Sequence, residues 1–260
     1  MIKLFGWAAL ILVWASSVSA AVVGKTVEYK QGGTVLEGYL AYPDNTLGKV
    51  PGVIVVHEWN GLGDYAQSRA RLLAELGYVA FAADIYGKGI RPTDVKGCAA
   101  ESAKYKGDRK LMRARAKAAY DVLRKDPRVD AMKIAAIGYC FGGTVVLEMA
   151  RSGLPLKGVA SFHGGLDTPV PSKMGSIKAK VLILHGADDP FAPADQVTAV
   201  EKELKAAGAD YQVNLYGGAQ HGFTNPDNKG VLPGALYNEQ ADQRSWKALM
   251  QFFDEIFQSQ

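Results

Sequence analysis

The sequence predicts an α/β fold: a mostly parallel central sheet with helices on both faces and antiparallel strands at its N-terminal edge. Three patterns predict it. Short runs that are apolar at every position recur along the chain, as strands buried on both faces require. Stretches with helical spacing separate those runs, which is the alternation of a sheet wound through crossover helices. The opening pair of strands instead alternates polar and apolar positions around a tight turn, as an antiparallel hairpin does.

In order, residues 25–30 and 34–42 form that hairpin around Gln31-Gly32-Gly33, whose glycines supply the positive φ of the turn. Residues 52–57 are the first buried strand. A helix over 64–76 follows, with Ala70, Leu73, Ala74 and Leu76 at apolar positions, and then a second buried strand over 78–83. Residues 87–106, carrying Gly87, Gly89, Pro92 and Gly97, read as an irregular excursion or lid beside the C-terminal edge of the sheet. Helix is expected over 108–123, 141–151, 194–207 and from 239 to about 257, and strand over 133–137, 157–162, 179–184 and 211–216. No linker, internal repeat or low-complexity tract interrupts the series, so residues 21–260 read as one domain.

With 48% apolar and 22% charged residues the chain is neither disordered nor fibrous, and two cysteines make no disulfide scaffold. The 30 basic and 26 acidic residues leave a net charge of +4 without any block of like charge. That distribution argues against a nucleic-acid face or a polybasic membrane anchor. Residues 1–20 are set apart: Lys3 precedes an apolar run from Leu4 to Trp14, and Ser16-Ser17-Val18-Ser19-Ala20 follows. This is the layout of a cleavable signal peptide, with Val18 and Ala20 in the small-residue subsites and Ala21 as the new N-terminus. The run is shorter than the ~20 residues a bilayer demands, so no stable membrane anchor is expected after cleavage. The expected destination is outside the cytoplasm, and periplasmic in a Gram-negative host.

The strongest chemical signal is Gly138-Tyr139-Cys140-Phe141-Gly142-Gly143, between the strand over 133–137 and the helix over 141–151. A nucleophile at the apex of a strand-to-helix bend needs flanking glycines, because strand and helix must approach closely there. Cys140 occupies the apex. A thiol at a helix N-terminus beside an imidazole ionises more readily than a free one near ~8.5. The amide of Phe141 then faces any developing oxyanion, with a second donor expected from His57-Glu58-Trp59-Asn60-Gly61, best supplied by the Trp59 amide. Chain order places the acid and then the histidine after the nucleophile in this type of site, which leaves His221 as the base. His57, His163 and His185 read as satisfied structural histidines, and none has metal-ligand spacing. The orienting acid is expected after the strand over 179–184, where Asp188 and Asp189 are adjacent and spacing does not choose between them.

Together, His57-Glu58-Trp59, the GYCFGG elbow, the acid loop 186–193, Ala219-Gln220-His221-Gly222-Phe223 and Asp84-Ile85-Tyr86-Gly87 resemble the dienelactone hydrolase family, from about Val50 to the C-terminus. The resemblance implies an α/β-hydrolase fold, a Cys-Asp-His triad and no metal or organic cofactor. It selects Asp189 over Asp188, because a proline follows the family's acid four residues later, as Pro193 does here. It also makes Glu58 an activation residue that holds or receives the thiol's proton. The family's two carboxylate-clamping arginines are replaced by Lys88 and Asn225, and the residue after the histidine, often serine there, is Gly222. A lysine lacks the guanidinium fork and asparagine has no charge. Arg91 is the nearest candidate replacement.

The expected function is hydrolysis of a small-molecule ester or lactone by Cys140, Asp189, His221 and Glu58. Phe141 and Trp59 amides would hold the oxyanion, and Tyr86, Lys88, Tyr139, Phe191 and Phe223 would contact substrate. Two alternatives use the same residues: another thiol hydrolase, acting on a thioester or peptide, and a catalytically silent ligand-binding protein. A Cys98–Cys140 disulfide would mask the nucleophile.

Overall fold

The computed structural model describes residues 21–258, so the signal-like segment 1–20 lies outside the described residues. Eight strands form one sheet in the order β1-β2-β4-β3-β5-β6-β7-β8. β1 (Val22–Gln31) and β2 (Thr34–Pro43) are the expected hairpin, and β2 joins β4 (Val79–Ala83) antiparallel. β3 (Val50–Val56), β5 (Val129–Tyr139), β6 (Gly158–Phe162), β7 (Lys180–Gly186) and β8 (Tyr211–Tyr216) continue in parallel. This is the architecture of an α/β-hydrolase.

The two faces of the sheet are sorted by the two-residue period of its strands. Ile54 and Val56 of β3 pack with α2 (Val95–Gly107), α3 (Arg109–Arg124), α4 (Phe141–Arg151) and α5 (Ala194–Ala206). Val53 and Val55 face α1 (Asp64–Glu75) and α6 (Glu239–Gln258). Both faces being dry explains why the central strands carry no polar alternation.

One expectation is corrected. Of the segment 87–106 read as an irregular excursion, the second half is α2. Asp94 caps it by accepting from the Gly97 amide at 2.8 Å, and Cys98, Ser102 and Tyr105 form its buried stripe. Gly97 sits in the first turn, where glycine costs least, so its presence did not stop the helix.

α3, α4 and α5 are tied beneath the sheet by buried charges. Arg151 grips Glu203 through two hydrogen bonds, at 3.0 and 2.7 Å, and meets Glu148 at 3.1 Å. Arg113 reaches Glu148 from α3 at 2.7 Å. Burial opposes the charge on Glu203, but Arg151 holds its carboxyl below the usual carboxylate range. Removing one member leaves the others charged and unpaired in a dry layer. Arg151→Ala should therefore lower the unfolding free energy by about 3–5 kcal/mol, read by urea denaturation. A loss of only a few tenths would show that these charges are solvated.

Candidate active site

Every candidate group lies beyond the C-terminal end of a parallel strand. Chain connectivity reverses direction at β3, which pairs with β4 on one side and β5 on the other. The loops leaving β3 and β5 therefore part, and a crevice opens between them. Glu58 and Trp59 follow β3, Cys140 follows β5, Asp189 follows β7 and His221 follows β8. A cavity of about 560 Å³ fills the crevice, lined among others by Glu58, Trp59, Cys140, Phe141, Phe191 and His221.

Cys140 sits at φ 54°, a left-handed conformation that costs a non-glycine residue about 1–3 kcal/mol. Packing holds it there. A Cβ on Gly138 would lie 2.0 Å from the Gly142 carbonyl oxygen, and one on Gly142 would lie 2.3 Å from the Val56 oxygen. Only glycine lets β5, α4 and the end of β3 meet this closely. The Cys140 amide donates to the Phe162 carbonyl at 3.0 Å and to His163 Nδ1 at 3.2 Å.

Across the cavity wall from Cys140, His221 Nδ1 meets Asp189 Oδ2 at 2.8 Å. Asp189 is fixed in turn, since its Oδ1 accepts from the amides of Phe191 at 2.8 Å and Ala192 at 3.2 Å. Asp188 is exposed, and it is not among the residues that line the cavity. Burial opposes a charged His221, but the negative charge of Cys140 and the hydrogen bonds to Asp189 and Cys140 outweigh it. Its pKa is pushed up to about 10. Gly222, next in the chain, has φ 64°, and a Cβ there would strike the Asn228 side chain at 2.3 Å.

The loop after β3 is held by His57. Its Nδ1 donates to the Glu58 carbonyl at 2.5 Å, and its Nε2 accepts from the Ile85 amide at 3.2 Å. The Glu58 carbonyl also accepts from the Gly61 amide at 3.3 Å. The Trp59 N–H lies on the other edge of the same planar peptide, so it points away from His57. Tyr86 steadies the next peptide by donating to the Trp59 carbonyl at 2.9 Å.

His163 does comparable work under the elbow. Because Nδ1 accepts from Cys140, Nε2 carries the proton and donates to Thr224 Oγ1 at 2.7 Å. Thr224 shares a 2.6 Å hydrogen bond with Tyr65, and its carbonyl accepts from Arg69 at 2.7 Å. Arg69 closes the chain on Asp242 at 2.9 Å. The nucleophile's backbone, the histidine loop, α1 and α6 are thus joined by one polar network. Sequence reading classed His163 as structural, without its contact to Cys140, and missed Thr224, Tyr65 and Arg69. No local spacing marks them, since Tyr65 and Arg69 on α1 meet Thr224 from more than 150 residues away in the chain.

The expected substrate contacts need correction. Tyr86, Tyr139 and Phe223 are buried, and none lines the cavity. Tyr86 packs between His57, Phe141 and Tyr105. Tyr139 stacks on Phe162, and Phe223 lies edge-on to His163. Lys88 is exposed and paired with Glu28 and Glu37 of the N-terminal hairpin. Arg91 is spent on Asp84 and on the carbonyls of Leu62, Gly87 and Ile90. Phe191 does line the cavity, edge-on to His221. Tyr65, Ser102 and Lys106 also line it, from positions not expected to contact substrate, and Asn225 lines it from one of the two positions where the resemblance places a clamp arginine. Both cysteines are free thiols. Among the described residues no cluster of His, Cys, Asp and Glu has the makings of a metal site, and no helix is long and apolar enough to cross a membrane.

Residues 36–257 match the dienelactone hydrolase family. A solved dienelactone hydrolase-like promiscuous phosphotriesterase from metagenomic libraries is 40% identical, covers 91% of this chain and 99% of its own, and superposes with a TM-score of 0.86. A structure named m3DLH is 41% identical with the same coverage and a TM-score of 0.88. A Yersinia pestis protein named "Putative carboxymethylenebutenolidase" is 28% identical over 85% of this chain and 84% of its own.

The buried histidines make stability depend on acid. Burial holds His57 down from 6.5 to about 4 and also lowers His163 and His185. As pH falls from about 6.5 to 4, the unfolded chain takes up protons that these rings refuse when folded, so stability is lost. Glu58 and Asp242, both raised by burial, work in the opposite direction. His57 alone contributes on the order of 3 kcal/mol across this window. Urea midpoints measured through it should fall steadily, and a flat profile would mean that the rings are protonated in the fold.

Proposed function

The chain belongs to the dienelactone hydrolase family, and from that premise we propose that it cleaves a carboxylic ester or lactone through Cys140, His221 and Asp189. The observation that carries this reading is His221 bonded to Asp189 and sharing the wall of the cavity with Cys140.

The thiol proton passes to His221 Nε2, and the Cys140 thiolate attacks the substrate carbonyl carbon. Charge moves onto the carbonyl oxygen, where the Phe141 and Trp59 amides receive it. These donors are fixed before substrate arrives: Phe141 opens α4, and the Trp59 peptide is oriented by His57. Collapse of the tetrahedral adduct breaks the bond to the leaving oxygen, which takes the proton from His221 and leaves a thioester. His221 then removes a proton from water, hydroxide adds to the thioester carbonyl, and the acid departs as Cys140 is regenerated. Asp189 keeps Nδ1 protonated and supports the imidazolium in both halves.

Glu58 is assigned to hold the thiol's proton before substrate is aligned and to release it to His221 when the triad engages. It is buried within the same cavity, and burial raises its carboxyl above the usual carboxylate range against the pull of Asn225 and His221. A carboxyl so placed takes up a proton more readily than an exposed one.

A second reading is favoured by the 40% identical phosphotriesterase: the same thiolate attacks an uncharged phosphotriester at phosphorus, the leaving oxygen departs with the proton from His221, and water activated by His221 then cleaves the S–P bond and frees Cys140. Residues 1–20 are proposed to direct export, leaving Ala21 first.

Purified protein should hydrolyse an activated aryl ester, and Cys140→Ala should reduce kcat/KM by at least ~1,000-fold. Asp189→Asn should cost more than Asp188→Asn, since only Asp189 reaches the imidazole. Wild-type turnover by Cys140→Ala would remove the proposed nucleophile. An aryl phosphotriester assayed on the same variants tests the second reading, which requires the same dependence on Cys140.

A further inference from the structure

The polar network beneath the elbow holds one proton more than it can place. Its direction is set at one end by the Cys140 amide, which can only donate, so His163 accepts at Nδ1 and gives the proton on Nε2 to Thr224 Oγ1 at 2.7 Å. It is set at the other end by Arg69, whose guanidinium has no acceptor, so its Nε donates to the Tyr65 hydroxyl at 3.2 Å. Between these ends lies the 2.6 Å bond joining Thr224 Oγ1 to the Tyr65 hydroxyl, and each of those oxygens carries a proton. One proton makes that bond. The other needs an acceptor elsewhere, and neither hydroxyl has a further partner among the described residues. Burial decides which proton is left over. Thr224 is fully buried, so a proton stranded on it would meet neither protein nor water, a strongly disfavoured state. Tyr65 is only partly buried and lines the cavity. Thr224 therefore donates to Tyr65, Thr224 and Arg69 fill the two lone pairs of the phenol, and the phenol's own O–H is left to the cavity.

Resting on the hydrolase reading above, we infer that Tyr65 is a hydrogen-bond donor to the substrate, and that the site is built for esters whose acyl chain carries an uncharged acceptor oxygen, such as an ether or a ketone. The oxygen is placed on the acyl chain because only that part of the substrate stays in the cavity through both half-reactions. An oxygen there takes the proton that the network leaves over. A hydrocarbon chain in the same place displaces water from the phenol and gives it no partner, and a polar group left unpaired in this way is what makes a site reject an analogue. The bonds from Cys140 to His163, Thr224 and Tyr65 all run in one direction, and donors in series strengthen one another. Arg69 adds a positive charge beside the last of them. Burial also raises the Tyr65 phenol above its ordinary range, so it keeps its proton and acts as a donor.

The test compares para-nitrophenyl hexanoate with three esters of the same length in which an ether oxygen replaces the third, fourth or fifth carbon of the acyl chain. Each ester is read on wild-type protein and on Tyr65→Phe, so differences in intrinsic reactivity cancel. In the variant, kcat/KM should fall at least ~3-fold further on one of the ether esters than on the hexanoate, chiefly through a higher KM. A loss equal on all the esters, as a purely structural role for the hydroxyl would give, or no loss on any, overturns the inference alone, provided that turnover still disappears in Cys140→Ala. If Tyr65→Phe does not fold, the wild-type protein carries the test. Its kcat/KM for one ether ester relative to the hexanoate should then exceed the ratio of their hydroxide-catalysed rates by at least ~3-fold, and no excess overturns the inference. Failure of the wild-type protein to cleave any of the esters, or cleavage surviving in Cys140→Ala, overturns the hydrolase reading and the inference together.

Discussion

Everything near the cavity is arranged around a bend that the chain would not adopt by itself. Cys140 stands at φ 54°, and the strain is held by backbone packed so closely that Gly138 and Gly142 have no room for a methyl group. That packing fixes three directions together: the thiol outward, the first amide of α4 beside it, and the end of β3 against α4. The loop bearing Trp59 leaves β3 at this contact, so the two amides assigned to the oxyanion are brought together by the same approach that strains the cysteine. His163 is the other non-glycine residue with positive φ among the described residues, and it holds the Cys140 amide from below. Strain at one residue and support from its neighbour are therefore parts of one device.

The four histidines show how environment divides a residue type into roles. His57 and His163 each have one ring nitrogen accepting from a backbone amide, which a protonated ring would repel. They are held neutral and act as rigid brackets for the two loops that carry the chemistry. His221 differs in one respect: its ring lies between a carboxylate and a thiol, so its proton is stabilised. Burial disfavours charge at all of these rings, and the partner decides which of them carries it.

Charge is also partitioned by depth. Arg151, Glu148 and Glu203 lock helices under the sheet, Arg69 locks the histidine loop to α1 and α6, and Lys88 holds the N-terminal hairpin. On the crevice wall Glu58 is capped by the Asn225 amide, and Lys106 and Lys229 are exposed at its edge.

The order of strands and helices was legible in the sequence because buried parallel strands are apolar throughout and helices carry a 3.6-residue stripe, both local properties. The G-x-C-x-G bend was legible for the same reason, since its steric requirement falls on adjacent residues. Choosing Asp189 over its neighbour took the resemblance to known sequences, and the 2.8 Å contact with His221 agrees with it. Helix α2 was half hidden by glycines and a proline, although Asp94 and the stripe of Cys98, Ser102 and Tyr105 were there to be read. The substrate wall was not legible: Tyr86, Tyr139 and Phe223 are as aromatic as Phe191, and burial from distant segments alone decides which ring faces the cavity. The sequence by itself determined the fold class and the bend, because each depends on residues close along the chain. Tertiary structure alone decided the bracketing by His57 and His163, the pairing of Glu58 with Asn225 and the loss of every nearby arginine to structural work, because each joins groups brought together only when the sheet closes.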